Sequence, residues 1–302
     1  MNPSLGRLLT EQQNPRTIGI DGMTAEQILR AIHEEDRTVP AAVERCIPEI
    51  ARAVEAITES FRRGGRLLYA GAGTSGRLGI LDAAECPPTY GSDPEQVIGL
   101  IAGGTRAIQQ AVEGAEDNPQ LGRQDICDYQ VSDRDVVVGI AASGRTPYVL
   151  GAMQEARERG AIVVGISNNP DSEMGRIAAI MIEAVTGPEA ILGSTRMKAG
   201  TAQKLILNML TTASMIRSGK VYRNLMVDMQ PTNEKLAIRA RRLIQLATEA
   251  EDEIVEQAYA AAKGHVKTAI VMILLQMDAE PAAELLQSSS GIVRQALDGH
   301  GR

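Results

Sequence analysis

The chain has 302 residues, 44% of them hydrophobic, and a formal net charge of −7. That length buries one large core, or a core and a smaller appendage, and the acidity excludes nucleic acid and anionic membrane as principal partners. One Phe, six Tyr and no Trp leave few stacking platforms, while three scattered cysteines fit neither a disulfide framework nor a zinc site and imply a reducing, cytoplasmic setting.

Met1 to Arg16 holds no long apolar run, and no later stretch is uncharged for long enough to cross a bilayer, so neither export nor a membrane anchor is expected. Thr24 to Glu35 and Val39 to Phe61 then show apolar residues at helical spacing, with Thr24 as an N-cap. From Leu67 the pattern changes. Short apolar runs at Leu67–Ala70, Val97–Ala102, Val136–Ala141, Ile162–Ile166 and Ile180–Val185 alternate with amphipathic segments, which predicts an α/β fold with a parallel five-stranded sheet flanked by helices. A long helix is expected over Lys198–Arg217, and residues 233–302 read as several short helices with junctions at Gly264-His265 and Gln287–Gly291. The expected division is an N-terminal helical arm (1–56), a sheet domain (57–232) and a small C-terminal helical subdomain (233–302).

Ligands of open parallel sheets bind beyond the carboxyl ends of the strands. Two such ends look alike. Gly71-Ala72-Gly73-Thr74-Ser75-Gly76-Arg77 follows the first strand and Ala142-Ser143-Gly144-Arg145-Thr146-Pro147 the third, each combining glycine, hydroxyls and an arginine. Backbone amides at the start of a helix, together with hydroxyls, suit a phosphate. The first turn also fits Gly-x-Gly-x-x-Gly, but the second strand ends Leu100-Ile101-Ala102-Gly103-Gly104 with no carboxylate for a ribose. The lysine of a nucleoside-triphosphate loop is missing too, since Arg77-Leu78 follows the last glycine. A monophosphate is therefore favoured over a nucleotide.

Glu85 stands before Cys86-Pro87-Pro88, which predicts a helix end at that point, and Glu116 is expected to close a second helix. Both are candidates for acid–base work. His33, His265 and His300 have no ligand-spaced partners, and the Met-rich runs Met209–Met215 and Met226–Met229 read as core filler.

Together with Asp82-Ala83-Ala84-Glu85-Cys86-Pro87-Pro88-Thr89, Glu113-Gly114-Ala115-Glu116-Asp117 and Ser194-Thr195-Arg196-Met197-Lys198-Ala199-Gly200-Thr201, the two turns resemble the N-acetylmuramic acid 6-phosphate etherase family. The likeness runs from about Asp21 to Asn233. It implies a sugar isomerase (SIS) fold and a cytoplasmic enzyme of cell-wall recycling. That enzyme cleaves the D-lactyl ether to N-acetylglucosamine 6-phosphate and D-lactate, with no metal or cofactor. By resemblance Glu116 is the base at C2 and Glu85 the acid that protonates lactate and then activates water. Gly73, Thr74, Ser75, Ser143, Arg145 and Thr146 hold the phosphosugar, with Ser194, Thr195 and Lys198 as further candidates near a strand end. A phosphosugar-sensing regulator on the same fold, or an aldose–ketose isomerase, is the alternative. Ten helical residues would set Glu85 about 15 Å from Ser75. Either the helix stops early or Glu85 serves a neighbouring subunit, which implies a homodimer with shared active sites.

Overall fold

The structure, a computed structural model, describes residues 8–229 and 234–300, so the expected boundary at residues 232 and 233 lies outside the described residues. These form two compact units: one holds the residues up to Ala84 with Pro94–Thr211, the other Glu85–Asp93 with the chain from Thr212.

In the first unit, α1 (Ala25–Asp36) opens on a capping box in which the Thr24 hydroxyl accepts from the Gln27 amide and the Gln27 side chain accepts from the Thr24 amide. The single helix expected over Val39–Phe61 is two, α2 (Val39–Glu44) and α3 (Ile47–Arg62), because Pro48 has no N–H for a helical bond and settles in a first turn.

The sheet contains β1 (Leu67–Gly71), which leads into α4 (Gly73–Tyr90), and β2 (Val97–Ile101), followed by α5 (Arg106–Gln109) and α6 (Pro119–Asp128). Next come β3 (Val136–Ile140), α7 (Pro147–Glu158), β4 (Ile162–Ser167) and β5 (Ile180–Glu183). All five strands are parallel, in the order β2-β1-β3-β4-β5, as expected from the alternating pattern. Alternate residues face opposite sides. Leu68, Ala70 and Val137 pack with Ile126, Tyr148 and Met153 from α6 and α7. On the other face Tyr69 meets α4, where a Cβ on Gly79 would lie 2.9 Å from the Tyr69 Cβ.

The helix α8 (Lys198–Arg217) forms where its pattern predicts. A short hairpin, β6 (Val221–Tyr222) with β7 (Leu225–Met226), was not legible, its strands being only two residues each. The second unit continues through α9 (Glu234–Thr248), α10 (Asp252–Ala261), α11 (Val266–Leu275), α12 (Ala279–Ser288) and α13 (Val293–His300), with junctions at both expected breaks. Its own core joins Tyr222 and Val227 to Ile244, Ile270 and Leu286.

The helix end expected at Glu85 does not occur: α4 continues through Pro87 and Pro88. Packing overrides the local proline preference. The buried Asp82 carboxylate accepts from Tyr69 Oη at 2.9 Å, Asn208 Nδ2 at 2.7 Å and Thr211 Oγ1 at 3.2 Å, and Tyr90 Oη lies 3.3 Å from Thr212 Oγ1 near the other end.

Candidate active site

The strand order reverses its direction of growth between β1 and β3, and at such a switch point the loops beyond the two strands part to leave a crevice. A cavity of about 510 Å³ opens there. Its walls include Gly73, Thr74 and Ser75 from the first turn, Ser143, Arg145 and Thr146 from the second, and Thr195 and Glu116. Eight of the eleven residues singled out from the sequence thus share one cavity. The first amides of α4 have no intrahelical acceptor and carry the positive end of the helix dipole. In the second turn Gly144 has a φ of +68°, and a Cβ there would stand 2.3 Å from Ser172 Cβ, so only glycine makes this bend.

Ser75 is oriented by a buried amide relay. Asn168 Nδ2 donates to the Ala184 carbonyl at 2.9 Å, which turns Asn168 Oδ1 toward Gln203 Nε2 at 3.0 Å. Gln203 Oε1 then accepts from Ser75 Oγ at 2.8 Å. The relay was not foreseen. Asn168 and Asn169 do stand at a strand end, but Gln203 carries no sequence signal beyond its place on a long helix.

Glu116 does not end a helix. It lies in the loop ahead of α6, and its carbonyl accepts from the Tyr148 amide at 3.0 Å. A Cβ on Gly122 would fall 2.0 Å from the Tyr148 carbonyl oxygen, and one on Gly151 2.0 Å from that of Pro119, so two glycines let α6 lie directly on α7. That contact holds the loop before α6 at the cavity.

Glu85 is exposed and is not among the lining residues. With α4 unbroken, ten residues separate it from Ser75 by about 15 Å of helix axis. Ser194 is likewise absent from the walls. Lys198 is a correction of another kind. It is 1% exposed, and its ammonium donates to Glu35 Oε2 at 2.7 Å and the Thr186 carbonyl at 2.9 Å. Hydrogen bonds from Arg16, with help from Lys198, hold the Glu35 carboxyl at about 2 although burial opposes this. The first amides of α8, from Lys198 and Ala199, are capped by the buried Glu189, each at 2.9 Å. Lys198 therefore ties α1 to the start of α8.

The N-terminal segment supplies a wall that the sequence did not reveal. Leu8 and Glu11 line the cavity, fixed by Asn169, whose Oδ1 accepts from the Leu9 amide at 2.7 Å and whose Nδ2 donates to Thr10 Oγ1 and the Ala142 carbonyl, each at 2.9 Å. Asp117 joins Glu116 and Glu11 as a third carboxylate of the lining. Hydroxyls, helix-start amides and carboxylates in one cavity suit an anionic ligand whose carbon skeleton undergoes proton transfer.

Two family models match the chain, the Glucokinase regulatory protein N-terminal SIS domain over residues 49–157 and the SIS domain over residues 123–213. N-acetylmuramic acid 6-phosphate etherase from Glaesserella parasuis is 56% identical over 288 residues, covering 95% of each chain. The protein of that name from Aeromonas hydrophila is 57% identical over 98% of this chain and 99% of its own. Among solved structures, a Bacteroides fragilis protein described as a candidate phosphosugar isomerase involved in capsule formation superposes with a TM-score of 0.50 at 20% identity, over 65% of this chain and 94% of that one.

Proposed function

The chain belongs to the N-acetylmuramic acid 6-phosphate etherase family, and from that premise we propose that the cavity at the β1/β3 switch point is where the ether is cleaved. The observation that carries the functional reading is identity of 52–57% over nearly the whole length to proteins of that name. The chain has the SIS fold and is a lyase-type enzyme acting on a phosphosugar.

In our reading the phosphate rests on the amides of Thr74 and Ser75 and on Ser143 and Thr146, with Arg145 and Thr195 beside it. The substrate's ether resists direct hydrolysis. Once the sugar ring opens, C1 becomes an aldehyde that acidifies the C2 proton. Glu116 removes it, the C3–O pair leaves with lactate as a C2–C3 double bond forms, and an acid protonates the departing oxygen. Water then adds across the double bond, hydroxyl to C3 and proton to C2, giving N-acetylglucosamine 6-phosphate and D-lactate.

Glu85 is the family-like acid, yet it is absent from the cavity walls. We therefore propose a homodimer in which Glu85 of a second copy completes each site. Its exposure supports this, as does Leu81, one turn before it and 54% exposed, an apolar surface that a partner would cover. No helix among the described residues is long and apolar enough to cross a membrane. A cytoplasmic recycling role, the three-part division at residues 56 and 232, and a sugar-reading role for Ser194 belong to the same proposal, in which Lys198 positions the site without touching the sugar. It does so through the α1–α8 tie.

The test is turnover of N-acetylmuramate 6-phosphate in heavy-oxygen water. D-lactate and a label on the sugar's C3 oxygen are expected, and Glu116→Ala and Glu85→Ala should each abolish lactate release while N-acetylglucosamine 6-phosphate still binds. Absence of lactate would refute the etherase, and lactate with unlabelled sugar would refute elimination and addition. A ketose product would favour the isomerase.

A further inference from the structure

We propose that a second, smaller cavity beside the first is a subsite for the carboxylate of the ether's acid arm, read by Arg77; this rests on the etherase reading of the main cavity. The second cavity measures about 350 Å³ and shares Ala72, Gly73, Glu116 and Asp117 with the first. Both volumes fall among ordinary small-molecule pockets, roughly 300–1,000 Å³. Because Glu116 belongs to both walls, a base there works at the boundary between them. C3 is bonded to C2, so with the phosphate among the hydroxyl turns the substituent on C3 extends from that boundary into the smaller cavity.

Among the described residues Arg77 is the only cation lining it. It opens the second turn of α4, half-buried, and its Nε donates to the Ile108 carbonyl at 2.9 Å, which fixes the plane of the guanidinium. Three carboxylates, Glu113, Glu116 and Asp117, line the same cavity, yet none forms an ion pair with Arg77 among the described residues. A guanidinium pinned by backbone on one edge keeps its terminal amines for a planar, two-point acceptor, and a carboxylate fits that fork where a hydroxyl does not. All three acids are exposed and solvated, so an anion is welcome only where Arg77 places it. The subsite thereby separates a sugar phosphate bearing an acid arm at C3 from one bearing a free hydroxyl. Sequence alone marks Arg77 as the arginine of the first turn, standing where a nucleotide loop has lysine, and gives it no ligand of its own.

The full-length protein and its Arg77→Met variant would be compared on three ligands: N-acetylmuramate 6-phosphate, its lactamide counterpart with a neutral arm, and N-acetylglucosamine 6-phosphate with no arm. The variant is expected to lose at least about 30-fold in kcat/KM on the acid substrate, as befits a charge-assisted pair. On the lactamide it should differ from the parent by less than about threefold, and calorimetric affinity for N-acetylglucosamine 6-phosphate should be unchanged, which also reports folding. Equal losses on acid and amide, a parallel loss of N-acetylglucosamine 6-phosphate binding, or no loss at all would each overturn the subsite. If the parent protein releases neither lactate from the acid substrate nor lactamide from its amide counterpart, the etherase reading fails on its own. Calorimetry then decides the subsite: an Arg77-dependent preference for the acid-bearing sugar phosphate upholds it, and no such preference refutes it.

Discussion

A single proton on Ser75 shows how much chemistry rests on one residue's surroundings. The Ala184 carbonyl sets the orientation of Asn168, Asn168 sets that of Gln203, and Gln203 takes the Ser75 proton, so Ser75 Oγ turns lone pairs toward the cavity. Ser143 differs. Its Oγ accepts from the Arg145 amide at 3.4 Å, which leaves its own proton for a phosphate oxygen. Ser143→Ala is accordingly expected to raise KM for the phosphosugar by about tenfold or more, the scale of one hydrogen bond to a charged acceptor, and Ser75→Ala by less. Steady-state kinetics on the two variants check the order, and equal effects would mean that the relay does not hold its polarity when ligand binds. Both serines were legible in the sequence as strand-end hydroxyls. Their different roles were not, because donor direction is decided by Asn168 and Gln203, which are distant along the chain.

Elements carry the next layer of consequence, and two of them contradict local rules for an identifiable reason. The prolines of α4 do not end it, since Asp82 is held by three donors and Tyr90 by Thr212. The sequence around Glu116 reads as a helix end, yet α5 is a single turn and the chain then crosses the strand ends as a loop, drawn there by the close contact of α6 and α7. In the helical unit, α11 is capped by a side chain that titrates: His265 Nδ1 lies 2.6 Å from Thr268 Oγ1 and accepts from the Thr268 amide at 3.3 Å. Burial, helped by the Lys267 ammonium and opposed by Asp228, pushes the His265 pKa below its ordinary value. The unfolded chain therefore binds the proton more readily than the folded one. The cap's contribution is complete above the ordinary histidine value near 6.5 and is lost as pH falls below it. Thermal unfolding followed at pH 7.5 and pH 5.5 should show the parent losing more stability than His265→Asn, whose side chain caps without titrating. Equal losses would remove His265 from the pH response.

At the scale of the whole molecule the question is how many chains make one active site. Each copy gathers hydroxyls, amides and Glu116 at one cavity while carrying Glu85 exposed on a long helix. A chain carrying Ser75→Ala and Ser143→Ala, mixed with a Glu85→Ala chain and reassociated, should regain activity. With random pairing and one intact site per heterodimer, about a quarter of the parent's activity is expected. No recovery above the two parent variants would confine both functions to one chain.

The sequence by itself determined the five-stranded parallel sheet, the two matched turns beyond its strands, the short helices after α8 and the family to which the chain belongs. Each of these is written locally, in apolar periodicity or in contiguous motifs that need no partner to be read. Only the tertiary structure decided that Lys198 ties α1 to α8 through Glu35, that Leu8 and Glu11 wall the cavity, and that Arg77 faces a second one. Those outcomes depend on which segments meet across the chain, Lys198 with Glu35 across 163 residues and Leu9 with Asn169 across 160, while Arg77 meets the Ile108 carbonyl across 31. Burial and hydrogen-bond satisfaction settle such meetings globally, and no window of sequence contains them.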